Sequence, residues 1–334
     1  MHKIWNLPVT DLMPFAEIDE QRPVLLVTSS PAWNAVKDKV HFQPAVLIEV
    51  TEANTAQWDF LLSTVHAQLS AVYAVGGGLV VDASKYMAVK LDLPMVCLPT
   101  ALSVDAFITG ASGIRKDGCV YYIETKPPEN LILDLEVIAA APVSLRAAGI
   151  SDVLSIATGS WDWQFAHQQD RNPPGMEFIP WVYDNAQSIL NGALDCAEAA
   201  GRGDHHGLKM LYDCISMEVQ LCNQVGHSRP EEGSEHYFAY AVENEMGHGL
   251  PHGDLVGPGI LLIANQQGQK LDAYRQALTA CHIPLDHIPP EIIQRTLDGL
   301  PAFSRKHQLP FGIAHMLGSA SIHKNLTDLG EVNR

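Results

Sequence analysis

Three polar features beyond residue 142 are of the types and spacing that could hold a cation. Asp152 stands in an otherwise apolar stretch, AGISDVLSIATGSWDW; His236 closes SRPEEGSEH; His248 and His252 lie in GHGLPHGDLVG, a loop broken by glycine and proline. A carboxylate and two imidazoles from separate elements are a recurrent ligand set for a divalent metal with an open coordination position. Each residue also has a plainer reading. Asp152 suits the first turn of a helix, where a negative charge complements the macrodipole, and a chain with fifteen histidines offers chance combinations. The first half holds a different kind of candidate, AVYAVGGGLVVDASK at residues 71–85. Its apolar run stops at Gly76, Gly77 and Gly78, and a helix-like stretch with Asp82 and Lys85 follows. A strand, a bare glycine turn and a helix N-terminus can cradle a pyrophosphate on outward-facing N–H groups. The segment matches neither G-x-x-x-x-G-K-[ST] nor G-x-G-x-x-G, since Val81 stands where the last glycine of the latter would fall.

The elements that must position these residues follow from hydrophobic periodicity. Strands are predicted at Pro23–Thr28, Ala45–Val50, Ala71–Val75, Pro94–Thr100, Tyr121–Glu124 and Asn130–Leu135, with helices at Pro31–Val40, Thr55–Leu69 and after the glycine turn. Alternation of this kind implies a mostly parallel sheet with helices on both faces, and ligands bind at the carboxyl ends of such strands. The segment PTALSVDAFITGASGI emerges at one such end, where Thr100, Ser103 and Thr109 can donate hydrogen bonds to a bound cofactor. After Pro142 the pattern becomes helical: Val143–Phe165, Val182–Ala200, Gly207–Val225 and Ile292–Leu297. The expectation is a Rossmann-like α/β domain at residues 1–141, which binds a dinucleotide. An all-α domain at residues 142–334 would bind metal and substrate across a cleft.

Composition narrows the function classes. With 47% hydrophobic and 18% charged residues the chain reads as globular, and its net charge of −17 disfavours nucleic acid and anionic membranes as partners. No apolar run reaches membrane-spanning length. The six cysteines form no C-x-x-C pair, and the N-terminal segment has no apolar signal core, so a cytoplasmic enzyme with reduced thiols is expected.

VYAVGGGLVVDASK, PTALSVDAF, AGISDVLS, GSEH, and HGD followed by Val256-Gly257 occur in the order carried by metal-dependent dehydrogenases of the dehydroquinate-synthase-like fold. The chain resembles that family over about residues 20–265. Its members are iron-containing alcohol dehydrogenases, glycerol dehydrogenase, glycerol-1-phosphate dehydrogenase and dehydroquinate synthase. SRPEEGSEH, and GISDVLS with Trp161-Asp162-Trp163 beyond it, are most similar to the glycerol-1-phosphate type. The resemblance implies that Gly76, Gly77, Gly78 and Asp82 lie at the pyrophosphate of NAD or NADP. Thr100 and Ser103 would contact the nicotinamide half, with Thr109 nearby. Asp105 would face the substrate hydroxyls, and Asp152, His236 and His252 would hold one divalent metal, zinc first, with nickel, iron and manganese as alternatives. It also implies a homo-oligomer, dimer or larger.

Three departures from the family pattern bear on the site. Asp254 follows Gly253 where relatives usually carry Glu, as a shortened acid that could still support the metal. Tyr240 follows His236 by four residues where many relatives have a histidine, and Ile156 follows Asp152 by four where another ligand can stand. A three-ligand site is therefore expected. The implied reaction is hydride transfer between a small alcohol, with or without a phosphate, and its ketone. His248 is the candidate proton relay, and Arg229, Lys126 and Arg115 are candidate phosphate partners. The alternatives are a carbocyclising lyase like dehydroquinate synthase and a nucleotide-binding protein without turnover. The lyase would need several Lys and Arg around the metal, and the metal segments supply only Arg229.

Overall fold

The computed structural model describes residues 4–116 and 119–317. The first part of the chain alternates strands β1 (Val9–Leu12), β2 (Val24–Thr28), β3 (Val46–Glu49), β4 (Ala71–Gly76) and β5 (Met95–Pro99) with helices α1 (Ser30–Val36), α2 (Thr55–Ser63) and α3 (Gly78–Leu91). Strands β6 (Ala111–Lys116), β7 (Cys119–Glu124) and β8 (Asn130–Leu133) follow. Six strands form one sheet in the order β1-β8-β5-β4-β2-β3, with every pairing parallel. Every residue of β2, β4 and β5 is buried, because helices cover both faces of a parallel sheet; VLLVT, AVYAVG and MVCLP accordingly run apolar without alternation. The remaining pair, β6 and β7, is an antiparallel hairpin outside that sheet. Tyr121–Glu124, expected as another strand of the series, belongs to this hairpin.

Helices then dominate: α4 (Leu135–Ala139), α5 (Val143–Arg146), α6 (Ile150–Leu154), α7 (Ile156–Gln168), α8 (Pro180–Arg202), α9 (His205–Val225), α10 (Ser234–Met246), α11 (His252–Gln266), α12 (Asp272–Ala280) and α13 (Pro290–Lys306). The stretch 143–165, expected as one helix, is three. The N–H of Gly149 leaves the helical ladder to donate to Leu102 O at 2.8 Å, which ties this break to the loop after β5. The helix expected over Thr55–Leu69 ends at Ser63. The last part of the expected helical domain, residues 318–334, lies outside the described residues. A single hydrophobic cluster runs from Leu25 and Val27 on the sheet through Val153 and Leu211 to Leu297 and Leu300 on α13, so sheet and helices pack against each other. No helix among the described residues is long and apolar enough to cross a membrane.

Candidate active site

The chain runs from β2 to β3 on one side and then to β4 on the other, which makes a topological switch point at the carboxyl ends of β2 and β4. A cavity of about 730 Å³ opens there, lined by Ser29 and Ala32 after β2, Gly77 and Gly78 after β4, and Thr100 and Ser103 after β5. Gly77 is the N-cap of α3 and offers no side-chain cap, so the first N–H groups of that helix meet the cavity unblocked. The glycines are required for different reasons. A Cβ on Gly76 would come within 2.6 Å of Val80 Cγ2, whereas one on Gly77 would meet only Ser103 Oγ, at 3.5 Å. Thr100 donates its N–H to Gly76 O at 3.2 Å, which seats the loop after β5 beside the turn.

Asp82 also lines this cavity, but its carboxylate has another task. It pairs with the buried Lys85 at 3.1 Å, and Lys85 in turn donates to Ala106 O at 3.0 Å and to Ala111 O. Burial raises the Asp82 pKa, and Lys85 opposes that shift. The pair fastens the β6–β7 hairpin to α3. A pyrophosphate contact, as the resemblance implied, would set this carboxylate against a like charge.

A second cavity of about 190 Å³ lies further in, and Asp105, Thr109, Tyr122 and His252 line both. Asp152, His236 and His252 converge there, each offering one ligand atom, all within 4.8 Å of one another. Nε2 of His236 and Nε2 of His252 are 3.3 Å apart, and His252 Nε2 is 3.2 Å from Asp152 Oδ1. Two ligands on a tetrahedral ion with bonds of about 2.0–2.1 Å stand about 3.3 Å apart, so these spacings are edges of such a site. Asp152 Oδ1 is buried and makes no hydrogen bond, while Oδ2 accepts from the backbone N–H of Asp105 at 3.0 Å. The donor set and the orphaned oxygen fit a divalent metal.

Each ligand is placed by packing that local sequence does not announce. His236 sits in the first turn of α10, whose start is held by Asp162 on α7: its carboxylate accepts from Ser234 N at 2.9 Å and from the Ser234 hydroxyl. Gly159 lets that helix approach, since a Cβ there would lie 2.4 Å from Glu231 O. His252 begins α11, where Gly253 permits contact with Ala148 O, beside the short helix that carries Asp152. Nδ1 of His236 faces Glu235 Oε1 at 2.9 Å, and a carboxylate can only accept there. That fixes the proton on Nδ1 and leaves Nε2 for an ion. Burial pulls the His236 pKa down, but the carboxylates of Glu235, Glu232 and Asp152 outweigh it and raise it to about 9.

The remaining expectations divide. Asp105 stands where the cavities meet; burial, then the carboxylates of Asp152 and Glu231, push its pKa well above the usual range. Thr109 lines both cavities. His248 is exposed, with Nδ1 3.4 Å from Gly249 O, and lines neither cavity, although Leu250 and Pro251 of the same loop line the outer one. Asp254 has His287 as its neighbour and no hydrogen bond or ion pair to a triad imidazole is seen among the described residues, whereas Glu235 meets His236 Nδ1 and is the supporting acid. Of the three cations expected at a phosphate, Arg229 and Lys126 are engaged elsewhere, while Arg115 lines the outer cavity. Arg229 is buried on Phe311 O, Lys126 holds Leu93 O and Glu129, and Arg115 pairs with Glu243. Sequence reading missed Glu218, Glu231 and Glu232, which line the inner cavity with Tyr122 and Tyr240. The paired acids in SRPEEGSEH were the available signal.

Comparison with known proteins bears on the family and the fold. The family profile described as iron-containing alcohol dehydrogenase matches residues 9–142. Glycerol-1-phosphate dehydrogenase [NAD(P)+] of Sulfurisphaera tokodaii is 29% identical over 285 residues, covering 82% of this chain and 80% of that one. The fold is shared with the sulfoacetaldehyde reductase of Bifidobacterium kashiwanohense solved with NAD+, at a TM-score of 0.68 and 16% identity over 97% of this chain and 98% of that one. It is shared also with a probable glycerol dehydrogenase of Sinorhizobium meliloti, at 0.62 and 18%, over 82% of each chain. The chain is thus similar to iron-containing alcohol dehydrogenases over residues 9–142 and to glycerol-1-phosphate dehydrogenases over most of its length.

Proposed function

We propose that this chain is an NAD(P)-dependent, divalent-metal-dependent dehydrogenase. It interconverts a small polyol or polyol phosphate, of the glycerol-1-phosphate and dihydroxyacetone phosphate type, with its ketone. The observation that carries the reading is the continuity of the two cavities: the Asp152, His236 and His252 donors open into the same cleft as the bare N-terminus of α3. When bound, the nicotinamide exchanges hydride with the substrate and the metal acts as Lewis acid toward its oxygen. In this reading Gly76, Gly77 and Gly78 admit the pyrophosphate, and Thr100, Ser103 and Thr109 address the nicotinamide half. Asp105, at the junction, orients the substrate hydroxyls. Asp152, His236 and His252 hold the metal, and Glu235 keeps the His236 ring in the ligating tautomer. Zinc is the first choice, and nickel, iron and manganese suit the same donors.

The test is oxidation of NADH or NADPH by the purified chain with dihydroxyacetone phosphate or dihydroxyacetone, in the presence of Zn²⁺, Ni²⁺, Fe²⁺ or Mn²⁺. Metal-dependent loss of reduced-nicotinamide absorbance is expected. Binding of the nucleotide without turnover across a broad panel of alcohols and ketones would overturn the reading.

A further inference from the structure

The inner cavity has a second acidic wall. Asp105 from the loop after β5, Glu218 from α9 and Glu231 from the turn before α10 each present a carboxylate oxygen, all within 4.8 Å of one another. Glu218 is only 1% exposed, and both of its carboxylate oxygens are buried without a hydrogen-bond donor; Oε2 of Glu231 is in the same condition. Their neighbour Glu232 is satisfied, taking hydrogen bonds from Ser228 at 2.6 Å and Tyr240 at 2.8 Å. Neither Lys nor Arg lines this cavity. Burying carboxylates against one another is costly unless something positive stands between them: a proton shared by Glu218 and Glu231 when the pocket is empty, or a cation that displaces it.

We propose that Asp105, Glu218 and Glu231 form a second cation site, for a hard divalent ion such as Ca²⁺ or Mn²⁺, separate from the Asp152, His236 and His252 set. The two donor sets differ in kind. Two imidazoles and a carboxylate suit Zn²⁺, Ni²⁺ or Fe²⁺, whereas an all-oxygen set suits Ca²⁺, Mg²⁺ or Mn²⁺. The spacing permits this, since all three oxygens lie within 4.8 Å of one another and oxygens on opposite sides of one Ca²⁺ stand about 4.6–5.2 Å apart. Three carboxylates leave coordination positions open, and a hard cation there would give an anionic substrate group the positive partner that the lining side chains do not supply. That role rests on the polyol phosphate reading above; the site itself does not.

The experiment loads the metal-stripped full chain with Zn²⁺ and Ca²⁺ and counts both by mass spectrometry of the washed protein. One Zn²⁺ and one Ca²⁺ per chain are expected. Glu218→Gln, nearly isosteric, should weaken Ca²⁺ binding by at least about tenfold while retaining Zn²⁺. His252→Ala should lose Zn²⁺ and retain Ca²⁺. Retained Zn²⁺ shows that the Glu218→Gln chain has folded, and Glu231→Gln repeats the measurement from another segment. Ca²⁺ absent from the wild-type chain, or bound equally by both glutamine variants, would overturn the site. So would displacement of Ca²⁺ by an amino-polyol, which would assign the carboxylates to a substrate ammonium. Ca²⁺ bound as expected, in a chain that leaves dihydroxyacetone phosphate unreduced, would count against the substrate reading and for the site.

Discussion

Glu235 decides which nitrogen of His236 faces the cavity, and its removal can be read without any turnover. Glu235→Gln keeps the shape but takes away the charge that draws the proton to Nδ1. Metal affinity should fall about 10–100-fold, the usual loss when a ligand's hydrogen-bond partner is changed. Competition with a chromogenic chelator measures this, and an unchanged affinity would show that packing alone sets the ring. Proton and metal also compete here. Burial lowers the His236 pKa and the acids around it raise it further, to about 9, so in wild-type protein metal affinity should climb with pH up to that value. Residue types pointed to Asp152, His236 and the loop with His248 and His252, because imidazoles and an acid are chemically conspicuous; the family resemblance chose His252 from that loop. Glu218 was not legible, since a glutamate on an amphipathic helix looks solvated until the tertiary structure buries it, and the Glu231-Glu232 pair in SRPEEGSEH was a signal without a stated partner.

At the scale of elements, the turn between β4 and α3 separates two uses of glycine. Gly77→Ala would place its Cβ at ordinary van der Waals distance from Ser103 Oγ, at a φ of −95° that alanine adopts freely. The fold should therefore keep its melting temperature while NAD(P)H affinity drops, as read by nicotinamide fluorescence. Gly76→Ala would drive its Cβ into Val80, 2.6 Å away. Overpacking of that kind costs about 1–3 kcal/mol, and the melting temperature should fall. Equal cofactor affinity in wild type and Gly77→Ala would remove the turn from the pyrophosphate. The sheet core was legible because buried parallel strands are continuous apolar runs bounded by turns. Strand β1, VTDL, was not: it is a mostly exposed edge whose alternation is too short to register. Strand β6, ASGIRK, was missed for a similar reason, its small and charged residues belonging to a hairpin off the sheet. The break between α5 and α6 within 143–165 is tied to Leu102 O, a partner far away in sequence.

For the whole molecule, the triad is a junction among α6, α10 and α11, and α11 begins in the wall of the cofactor cleft. An ion there adds a link among three helices that otherwise meet through packing and few hydrogen bonds, such as Ser151 Oγ to Gly253 O, so metal binding should appear as stability of the whole chain. At a free concentration one hundred times the Kd, linkage contributes about 2.7 kcal/mol. For a chain of this size that corresponds to a rise of roughly 5 °C in melting temperature on adding Zn²⁺ to metal-stripped protein. The rise should be absent in His252→Ala, whose remaining donors cannot close the set. Glu235→Gln should show a smaller rise at equal Zn²⁺, because its affinity is weaker while the same helices are joined. A wild-type chain that holds Zn²⁺ yet melts at its metal-free temperature would show that the ion binds the unfolded chain as tightly as the folded one, through its many histidines. The triad would then be no preformed site.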